Sequence, residues 1–231
     1  MSLRALRPAD LDSILDLQAE VLAPLAKGFI RPKPASELAA YLDGRRGAAF
    51  GVEEEGRLVA IAFLMLPGPA SPNPADLPFR LVPAADWSFA TAFLENTMVV
   101  ESARGRGLQS ALVDARLAHA RAAGMRWICS GVHFRNRASW RNLLARGLVI
   151  ADCREDRGYP ALGLLGALGA AELRYDPDDA IDVPAAYFAA HRAALAADRV
   201  GTRQDPATTR FCRLLAPAPA AHAVRRRGPA P

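Results

Sequence analysis

The chain has 231 residues, of which 51% are hydrophobic, so it is long enough to bury the core of one large domain or of a domain with an addition. Its net charge is +5, but it contains no basic stripe with interleaved aromatic side chains, which argues against a nucleic-acid-binding protein. Arginine supplies almost all of the positive charge, and together with many alanines and prolines this is typical of a GC-rich genome, so we expect a bacterial source. No run is apolar and long enough to span a bilayer.

The cysteines and histidines indicate the compartment and the metal content. Cys129, Cys153 and Cys212 are odd in number and far apart, and no secretory segment follows Met1. We therefore expect reduced thiols in a cytoplasmic protein rather than a disulfide framework. The four histidines show no metal-ligand spacing with the cysteines, so we expect no metal site.

The N-terminal part of the chain alternates between extended and helical patterns. In chain order these patterns predict a strand over 3–7, a helix over 11–22, a short helix over 36–42, and two strands over 48–52 and 58–66. Asp10 and Ser36 are expected to cap the two helices. The acidic turn that ends at Gly56 is expected to join the last two strands as a hairpin.

A loop with six prolines over residues 67–83 separates this part from the rest. The later elements are predicted as a strand over 89–100, a helix over 108–123 ended by Gly124, a strand over 125–132, a helix over 138–146, strands over 148–153 and 161–165, and a helix over 183–198. Hairpins at both ends and a strand–helix–strand crossover in the middle predict a mixed α/β sheet. We assign residues 1–170 to one domain, 171–220 to a C-terminal extension with one helix packed on it, and 221–231 to a disordered tail.

The most informative local feature is Arg104-Gly105-Arg106-Gly107, which follows an apolar strand and opens a helix. Glycines let the backbone come close to a ligand, and consecutive N–H groups at a helix N-terminus form a cradle for a pyrophosphate. Arginine adds full charges and forked donors for phosphate oxygens. A P-loop is excluded because no Lys-Ser or Lys-Thr pair follows the glycines. The alternative to a pyrophosphate cradle is an ordinary exposed turn between a strand and a helix.

Two motifs make residues 1–155 resemble the GCN5-related N-acetyltransferase (GNAT) superfamily. One is the acetyl-CoA pyrophosphate signature, which here reads RGRGLQ from Arg104 and is preceded by MVV from Met98. The other follows the next strand, reads NRAS from Asn136, and closes with Gly147-Leu148. The resemblance implies an α/β (α+β) fold with a mixed, mostly antiparallel central sheet flanked by helices, to which this chain adds a C-terminal helical extension.

The resemblance also implies that acetyl-CoA is the acyl donor. The strand end at Met98, Val99 and Val100 would then pair with the pantetheine arm, and Asn136 and Ser139 would bond that arm. A free N–H near Val99 or Val100 would polarise the thioester carbonyl, because attack by an amine places negative charge on that oxygen. The pyrophosphate would be wrapped by the turn and the start of the helix, at Arg104, Gly105, Arg106, Gly107, Leu108, Gln109 and Ser110.

This sequence departs from the family pattern at two positions. Gln109 stands where relatives have Gly or Ala, and its side chain either turns away or donates its amide to phosphate. Leu143 stands where many relatives have the tyrosine that protonates the departing thiolate. Because a thiol has a pKa of about 8.5, its thiolate is a tolerable leaving group near neutral pH, and the acid is optional.

A proton acceptor is still required, because an ammonium group cannot attack a thioester. Glu95, on the strand that leads into the glycine turn, is the first candidate, since relatives often carry a carboxylate there; a solvent-facing charge is the alternative. His133, just after the next strand, is the second candidate, and a simply exposed loop histidine is its alternative. Cys129 lies within a strand and is expected to be a small core residue rather than an acyl-accepting nucleophile.

The resemblance therefore implies an acetyl-CoA-dependent N-acetyltransferase that acetylates a primary amine of a small molecule or peptide by direct transfer in a ternary complex. A non-catalytic CoA-binding regulatory module on the same fold is the alternative, and an arginine-rich nucleic-acid binder that uses Arg135, Arg137 and Arg141 is a third hypothesis. We expect no nucleic-acid or membrane partner. A homodimer through the C-terminal addition stays open, and the sequence identifies neither the acceptor nor the acyl chain.

Overall fold

The computed structural model describes residues 1–25, 30–68, 81–156, 158–169 and 172–215. Within them the strands run over Ser2–Ala5 (β1), Gly47–Glu54 (β2), Arg57–Met65 (β3), Thr91–Val99 (β4), Trp127–His133 (β5), Val149–Asp156 (β6), Tyr159–Ala167 (β7), Tyr175–Pro184 (β8), Arg199–Gln204 (β9) and Thr208–Leu214 (β10). The α-helices run over Leu11–Leu22 (α1), Ala35–Leu42 (α2), Ala84–Ala90 (α3), Leu108–Ala122 (α4), Arg137–Leu144 (α5) and Phe188–Ala196 (α6).

The strands form one sheet in the order β1-β2-β3-β4-β5-β7-β6-β9-β10-β8. Strands β4 and β5 are parallel and are joined by α4, whereas the other neighbouring pairs of described strands are antiparallel. Strands β2 and β3 form the predicted hairpin through a two-residue turn at Glu55 (φ 51°) and Gly56 (φ 77°). The sheet is therefore mixed and mostly antiparallel, with helices against it, as the sequence predicts.

Strand β3 lies in the middle of the core. From Leu58 to Leu64 none of its residues is more than 7% exposed, because α1, α2 and α4 all pack against it. A continuous apolar run without alternation is what a strand covered on both faces requires. Strand β4, which carries Glu95, Met98 and Val99 of the candidate site, is held along this buried neighbour.

The two helix-capping predictions are wrong. Asp10 stands directly before α1, but its carboxylate accepts a hydrogen bond from Arg7 N–H (2.7 Å) and pairs with Arg4 (2.8 Å) instead of capping the helix. Helix α2 begins directly after Pro34, so Ser36 lies inside the helix, and no side chain caps its start. Both helices are held by packing of their buried residues rather than by the capping groups.

The strand predicted over residues 89–100 begins later, because residues 89 and 90 belong to helix α3. Trp87 of this helix is 3% exposed, and its ring lies 5.4 Å from that of Phe93 on β4. Asp86 accepts a hydrogen bond from Trp127 Nε1 on β5 (3.0 Å). These tertiary contacts stabilise a helical turn where the local pattern favours a strand.

The described part of the C-terminal extension contains three strands besides the predicted helix. The helix predicted over 183–198 is limited to Phe188–Ala196, because residues 183 and 184 belong to strand β8 and residues 185–187 connect the strand to the helix. Strand β9 pairs with β6, and β10 lies between β9 and β8, so the extension continues the main sheet. Strand β8 is mostly exposed and rich in Asp, which gives it little hydrophobic signal in the sequence. The predicted boundary at 170–171, the tail over 221–231 and residues 69–80 of the proline-rich insertion lie outside the described residues.

His191 joins this extension to the rest of the molecule. The residue is fully buried, with Nδ1 2.9 Å from Tyr187 O and Nε2 3.0 Å from the hydroxyl of Thr209 on β10. Burial lowers the pKa of the imidazole, so the folded protein favours the neutral ring over the protonated ring. Aromatic rings from both parts of the chain surround it edge-on: Phe134, Trp140 and Phe211.

We expect the free energy of unfolding to fall as the pH drops below ~6.5, and His191→Gln to reduce that fall. Because the pKa of His191 is lower in the folded than in the unfolded chain, the unfolded chain binds the proton first. The stabilisation is therefore present above the unfolded pKa and is lost as the pH falls. Urea unfolding at about pH 7.5 and about pH 5.5 measures the effect. His119→Gln, at an exposed position on α4, is the control, and an unchanged pH slope in His191→Gln contradicts the prediction.

Candidate active site

Strands β4 and β5 separate after three residue pairs, Thr91–Trp127, Ala92–Ile128 and Phe93–Cys129. At the point of separation the Ser130 hydroxyl donates a hydrogen bond to Leu94 O (3.1 Å). Beyond it a cavity of about 640 Å³ opens between the two strands. The starts of α4 and α5 form its other walls, and Leu25 and Ile30 reach it from the segment that follows α1.

A β-bulge shapes the part of β4 that faces this cavity. Glu95 pairs with Phe63 of β3, while Thr97 pairs with the preceding residue, Ala62, so Asn96 is the extra residue. A bulge bends the strand and changes the direction of the groups around it. The bulge thus turns β4 away from β5 at the residues where the cavity begins.

The end of β4 presents one backbone N–H to the split. Val100 N–H donates to Val59 O of β3 (3.0 Å), so this group is engaged within the sheet. Because successive N–H groups of a strand point in opposite directions, Val99 N–H faces the split. Met98 pairs with β3 and its side chain is 1% exposed, so it lies in the core. Of the two amides proposed to polarise a thioester, Val99 is therefore the one on the cavity side.

Both glycines of the turn have a backbone conformation that favours glycine. Gly105 (φ 76°) and Gly107 (φ 75°) are both in the left-handed region, which only glycine adopts at low cost. A Cβ added at either position would meet no atom within 4 Å, so the space above the turn is open. Helix α4 begins directly after Gly107, and its first residues Leu108, Gln109 and Ser110 line the cavity. The turn therefore directs the N–H groups of a helix start toward an open space.

The two arginines of the turn have different positions. Arg104 lines the cavity, with its Nε 3.4 Å from Val99 O. Arg106 is paired with Glu54 on the β2–β3 hairpin, at 2.7 and 3.0 Å, and does not line the cavity. The side chain of Arg104 is thus the one that a ligand in the cavity can reach directly.

Gln109 turns its side chain toward helix α5. Its Nε2 donates to the Ser139 hydroxyl (2.9 Å), and its Oε1 accepts from Asn142 Nδ2 (2.9 Å). Asn136 caps α5 by accepting from Ser139 N–H (3.2 Å). Asn136 and Ser139 both line the cavity, but each already makes these bonds within the protein. The glutamine at the small-residue position therefore leaves the turn open and links α4 to α5.

We expect Gln109→Ala to lower the free energy of unfolding by about 1–2 kcal/mol while the Kd for CoA stays within about threefold, because the link between helices is lost and the turn is unchanged. Thermal unfolding and calorimetry with CoA measure the two effects. Gln18→Ala, which removes a buried amide pair with Lys33 far from the turn, is a matched control for the stability loss. A loss of CoA affinity beyond tenfold in Gln109→Ala would assign the amide to the ligand instead.

Glu95 points into the cavity and is part of a charged network. Its Oε2 accepts hydrogen bonds from Lys33 Nζ and from the Tyr41 hydroxyl (2.8 Å). Lys33 is 2% exposed and also bonds Glu37 Oε1 (2.5 Å). Tyr41 in turn accepts from Arg46 Nε (3.1 Å). The carboxylate is thus fixed in place by Lys33, which lies just before α2, and by Tyr41 in the last turn of α2.

The same network shifts the ionisation of its members. Burial, with the charge of Glu95, raises the pKa of the Tyr41 phenol, so the hydroxyl stays protonated and donates a hydrogen bond to Glu95. Although burial opposes it, the cations Lys33, Arg31 and Arg46 hold the pKa of Glu37 below its usual value. The sequence analysis missed Lys33 and Tyr41. The available signal was that Lys33 is one of two lysines in an arginine-rich chain and stands four residues before Glu37.

His133, the second candidate base, lies at the end of β5 and lines the cavity from that side. Its Nδ1 accepts the Arg135 N–H (3.1 Å), so the neutral ring carries its proton on Nε2. Burial, and then Arg135, lower the pKa of this imidazole, which favours the neutral ring. In this state Nε2 is a hydrogen-bond donor, which does not suit a proton acceptor.

Three further residues limit the chemistry of the cavity. Leu143 lines it without a hydroxyl. Cys129 is fully buried, its Sγ lies 3.5 Å from Ala92 O, and burial raises the pKa of its thiol well above the usual value. It is a core residue, as predicted, and not an exposed nucleophile.

Arg116 of α4 also lines the cavity although its side chain is 1% exposed. The apolar pattern of this helix in the sequence did not predict a buried arginine at this position.

Across the described ranges, no three His, Cys, Asp or Glu side chains come together as a metal site. In the same part of the chain, no helix combines the length and the apolar character needed to cross a membrane.

Solved acetyltransferases share this fold. A GNAT-family acetyltransferase from Streptococcus pneumoniae aligns with a TM-score of 0.57 and 15% identity, covering 73% of this chain and 99% of its own. The ribosomal-protein-S18-alanine N-acetyltransferase from Escherichia coli gives 0.56 and 16%, covering 74% and 96%. A putative acetyltransferase from Salmonella typhimurium, solved with its cofactor acetyl-CoA, gives 0.55 and 18%, covering 74% and 95%. A comparison with curated protein sequences finds no match.

The sequence itself matches a family model. The model describes the acetyltransferase (GNAT) family and matches residues 15–147, which is more than half of the chain. The match includes β4, the glycine turn, α4, β5 and α5, which are the elements that form the cavity. The protein is therefore a member of the GNAT acetyltransferase family.

Proposed function

We propose that the protein is an acetyl-CoA-dependent N-acetyltransferase that transfers the acetyl group to a primary amine of a small molecule or peptide. The observation that carries this proposal is that one cavity includes both the split between β4 and β5 and the glycine turn. A thioester and a diphosphate can therefore be held along a single path. Acetyl-CoA is the proposed donor because the glycine turn beside this path resembles the family's donor signature at every position except Gln109.

The proposed reaction is direct transfer within a ternary complex. Glu95, itself or through water, accepts a proton from the acceptor ammonium, and the free amine attacks the thioester carbon. Val99 N–H donates to the thioester oxygen as negative charge develops on it. The C–N bond forms and the C–S bond breaks. CoA leaves as the thiolate, which becomes the thiol by taking up the proton that the attacking nitrogen releases. The buried state of Cys129 supports direct transfer over an acyl-enzyme, because a nucleophile must reach the thioester.

Other groups are proposed to hold the donor. Arg104 and the N–H groups from Gly105 through Ser110 bind the diphosphate, and Arg106 would join them only by leaving Glu54. Asn136 and Ser139, with the main chain from Met98 to Val100, flank the pantetheine arm. His133 is retained as a second candidate for proton transfer, although its Nε2–H is a donor in the neutral ring.

The acceptor and the setting of the protein stay predictions. The Escherichia coli neighbour is named for an alanine of a ribosomal protein, which supports keeping peptides beside small molecules as acceptors. We propose a cytoplasmic protein without nucleic-acid or membrane partners, and a homodimer through the C-terminal extension. Gel filtration with light scattering tests the oligomeric state.

The central experiment measures donor binding and transfer separately. Calorimetry with CoA and acetyl-CoA is expected to give a Kd between about 1 μM and 1 mM. Thiol release is then followed with acidic, neutral, basic and aromatic amines, and mass spectrometry identifies the acetylated product. No binding at millimolar acetyl-CoA would refute the proposal.

A non-catalytic CoA-binding module is the second candidate. It is favoured by the leucine at position 143 and by the pairing of Glu95 with Lys33, since neither side chain then offers a ready acid or base. The same experiment separates the two functions. Binding of CoA without thiol release from any amine would support the module.

A further inference from the structure

Arg116 is a charged side chain inside the core. It lies on the buried face of α4, it is 1% exposed, and it lines the cavity. Four of its five N–H groups make hydrogen bonds within the fold. The acceptors are Leu112 O (3.0 Å), Phe63 O (3.1 Å), Glu95 O (2.9 Å) and the Thr97 hydroxyl (2.8 Å).

The acceptors of Arg116 are all neutral, so its charge has no carboxylate partner among the described residues. Burial lowers the pKa of this guanidinium to about 9, which leaves it a cation at neutral pH. An isolated buried charge is costly, and an apolar residue of similar size often makes a more stable core. A cation at this position therefore calls for an explanation other than stability.

The hydrogen bonds of Arg116 are placed at the β4 bulge. Glu95 and Phe63 face each other at the register shift, and Thr97 follows the extra residue. A bulge interrupts the regular ladder and leaves backbone carbonyls that need other donors. The guanidinium supplies those donors to both strands at once. It thereby fixes the direction of the strand that carries the Glu95 side chain and, two residues after Thr97, the Val99 N–H.

We propose that Arg116 is a positioning residue for acyl transfer. It holds the β4 bulge so that Val99 N–H meets the thioester oxygen. Its charge, which has no carboxylate partner among the described residues, also strengthens the polarisation of that carbonyl. This inference rests on the proposed function, because it assigns Arg116 a part in the same reaction. Because the side chain of Arg116 is 1% exposed, water screens its charge only weakly. The bulge thus sets the direction of Val99 N–H, and the positive charge of the guanidinium adds an electrostatic field at the thioester carbonyl.

Infrared difference spectroscopy of bound acetyl-CoA, labelled with carbon-13 at the acetyl carbonyl, tests the inference without an acceptor. In the wild-type protein the carbonyl band is expected at lower wavenumber than in free acetyl-CoA. Arg116→Gln removes the charge and most of the donors, and it is expected to lose at least half of that shift. Arg116→Lys keeps the charge but not the forked geometry, and it is expected to lose a smaller part. Calorimetry is expected to give a Kd for CoA within about fivefold of wild type, because the diphosphate site is unchanged.

Arg121→Gln is the matched control, since it removes the same charge from an exposed position on the same helix. Its carbonyl band is expected at the wild-type position. Bands at the wild-type position in Arg116→Gln and Arg116→Lys would overturn the inference. If Arg116→Gln does not fold, Arg116→Lys decides alone, with a partial loss of the shift in support and an unchanged band against. A failure of the proposed function looks different, because the wild-type protein would then bind no acetyl-CoA.

Discussion

Replacing Glu95 by glutamine is expected to lower kcat by about 10²–10⁴-fold, with the KM for acetyl-CoA almost unchanged. Glutamine has the same shape and still offers an oxygen to the Tyr41 hydroxyl, so the side chain keeps its place. It lacks the negative charge that accepts a proton from the incoming ammonium. Lys33 keeps its second carboxylate partner, Glu37, so the buried ammonium is not left alone. The loss is therefore expected in the chemical step and not in donor binding.

Glu37→Gln is the control for this experiment. It also removes one carboxylate from Lys33, but Glu37 does not line the cavity. We expect kcat within about fivefold of wild type in this variant, because no proton of the substrate is within its reach. Steady-state kinetics with one amine, varied against acetyl-CoA, compares the two variants. A Glu95→Gln enzyme within threefold of wild type would assign the proton to water or to His133.

Gly107→Val is expected to weaken CoA binding by about 10–100-fold. At φ 75° a β-branched residue is strained by about 1–3 kcal/mol, so the backbone shifts toward an allowed region. That shift turns the N–H groups at the start of α4 away from the diphosphate. Calorimetry with CoA measures the affinity, and circular dichroism monitors the fold.

Gly124→Val is the matched control for the glycine turn. Gly124 follows the other end of α4, has the same φ of 75°, and has no atom within 4 Å of an added Cβ. Both variants are expected to lose similar stability, but only Gly107→Val should lose affinity for CoA. Equal affinity in the two variants would remove the turn from the proposed diphosphate site.

The local features of the site could be predicted from the sequence because each depends on adjacent residues. The glycines at 105 and 107 are needed for a left-handed backbone, and the helix that follows starts at Leu108 as expected. The β2–β3 hairpin could be predicted for the same reason, because its two adjacent turn residues both have positive φ. Periodicity likewise located α4 and the crossover between β4 and β5.

Where the local signal was weak, tertiary contacts decided the structure. Helix α3 forms where the pattern favours a strand, because Trp87 and Asp86 are held by β4 and β5. Strand β8 has an exposed, acidic sequence and gains its conformation from pairing with β10. Neither interaction has a periodicity that can be read along the chain.

The sequence by itself therefore determined the family, the order of the central elements and the backbone of the glycine turn, because these follow from residues close together in the chain. Only the tertiary structure brought Lys33 and Tyr41 to Glu95, across 62 and 54 residues, and placed Arg116 against the β4 bulge. In the sequence, charged residues such as Lys33 and Arg116 look like solvated surface residues. They become part of the site only because folding removes water from them. Burial and long-range pairing set the energy of such charges, and both exist only in the folded chain.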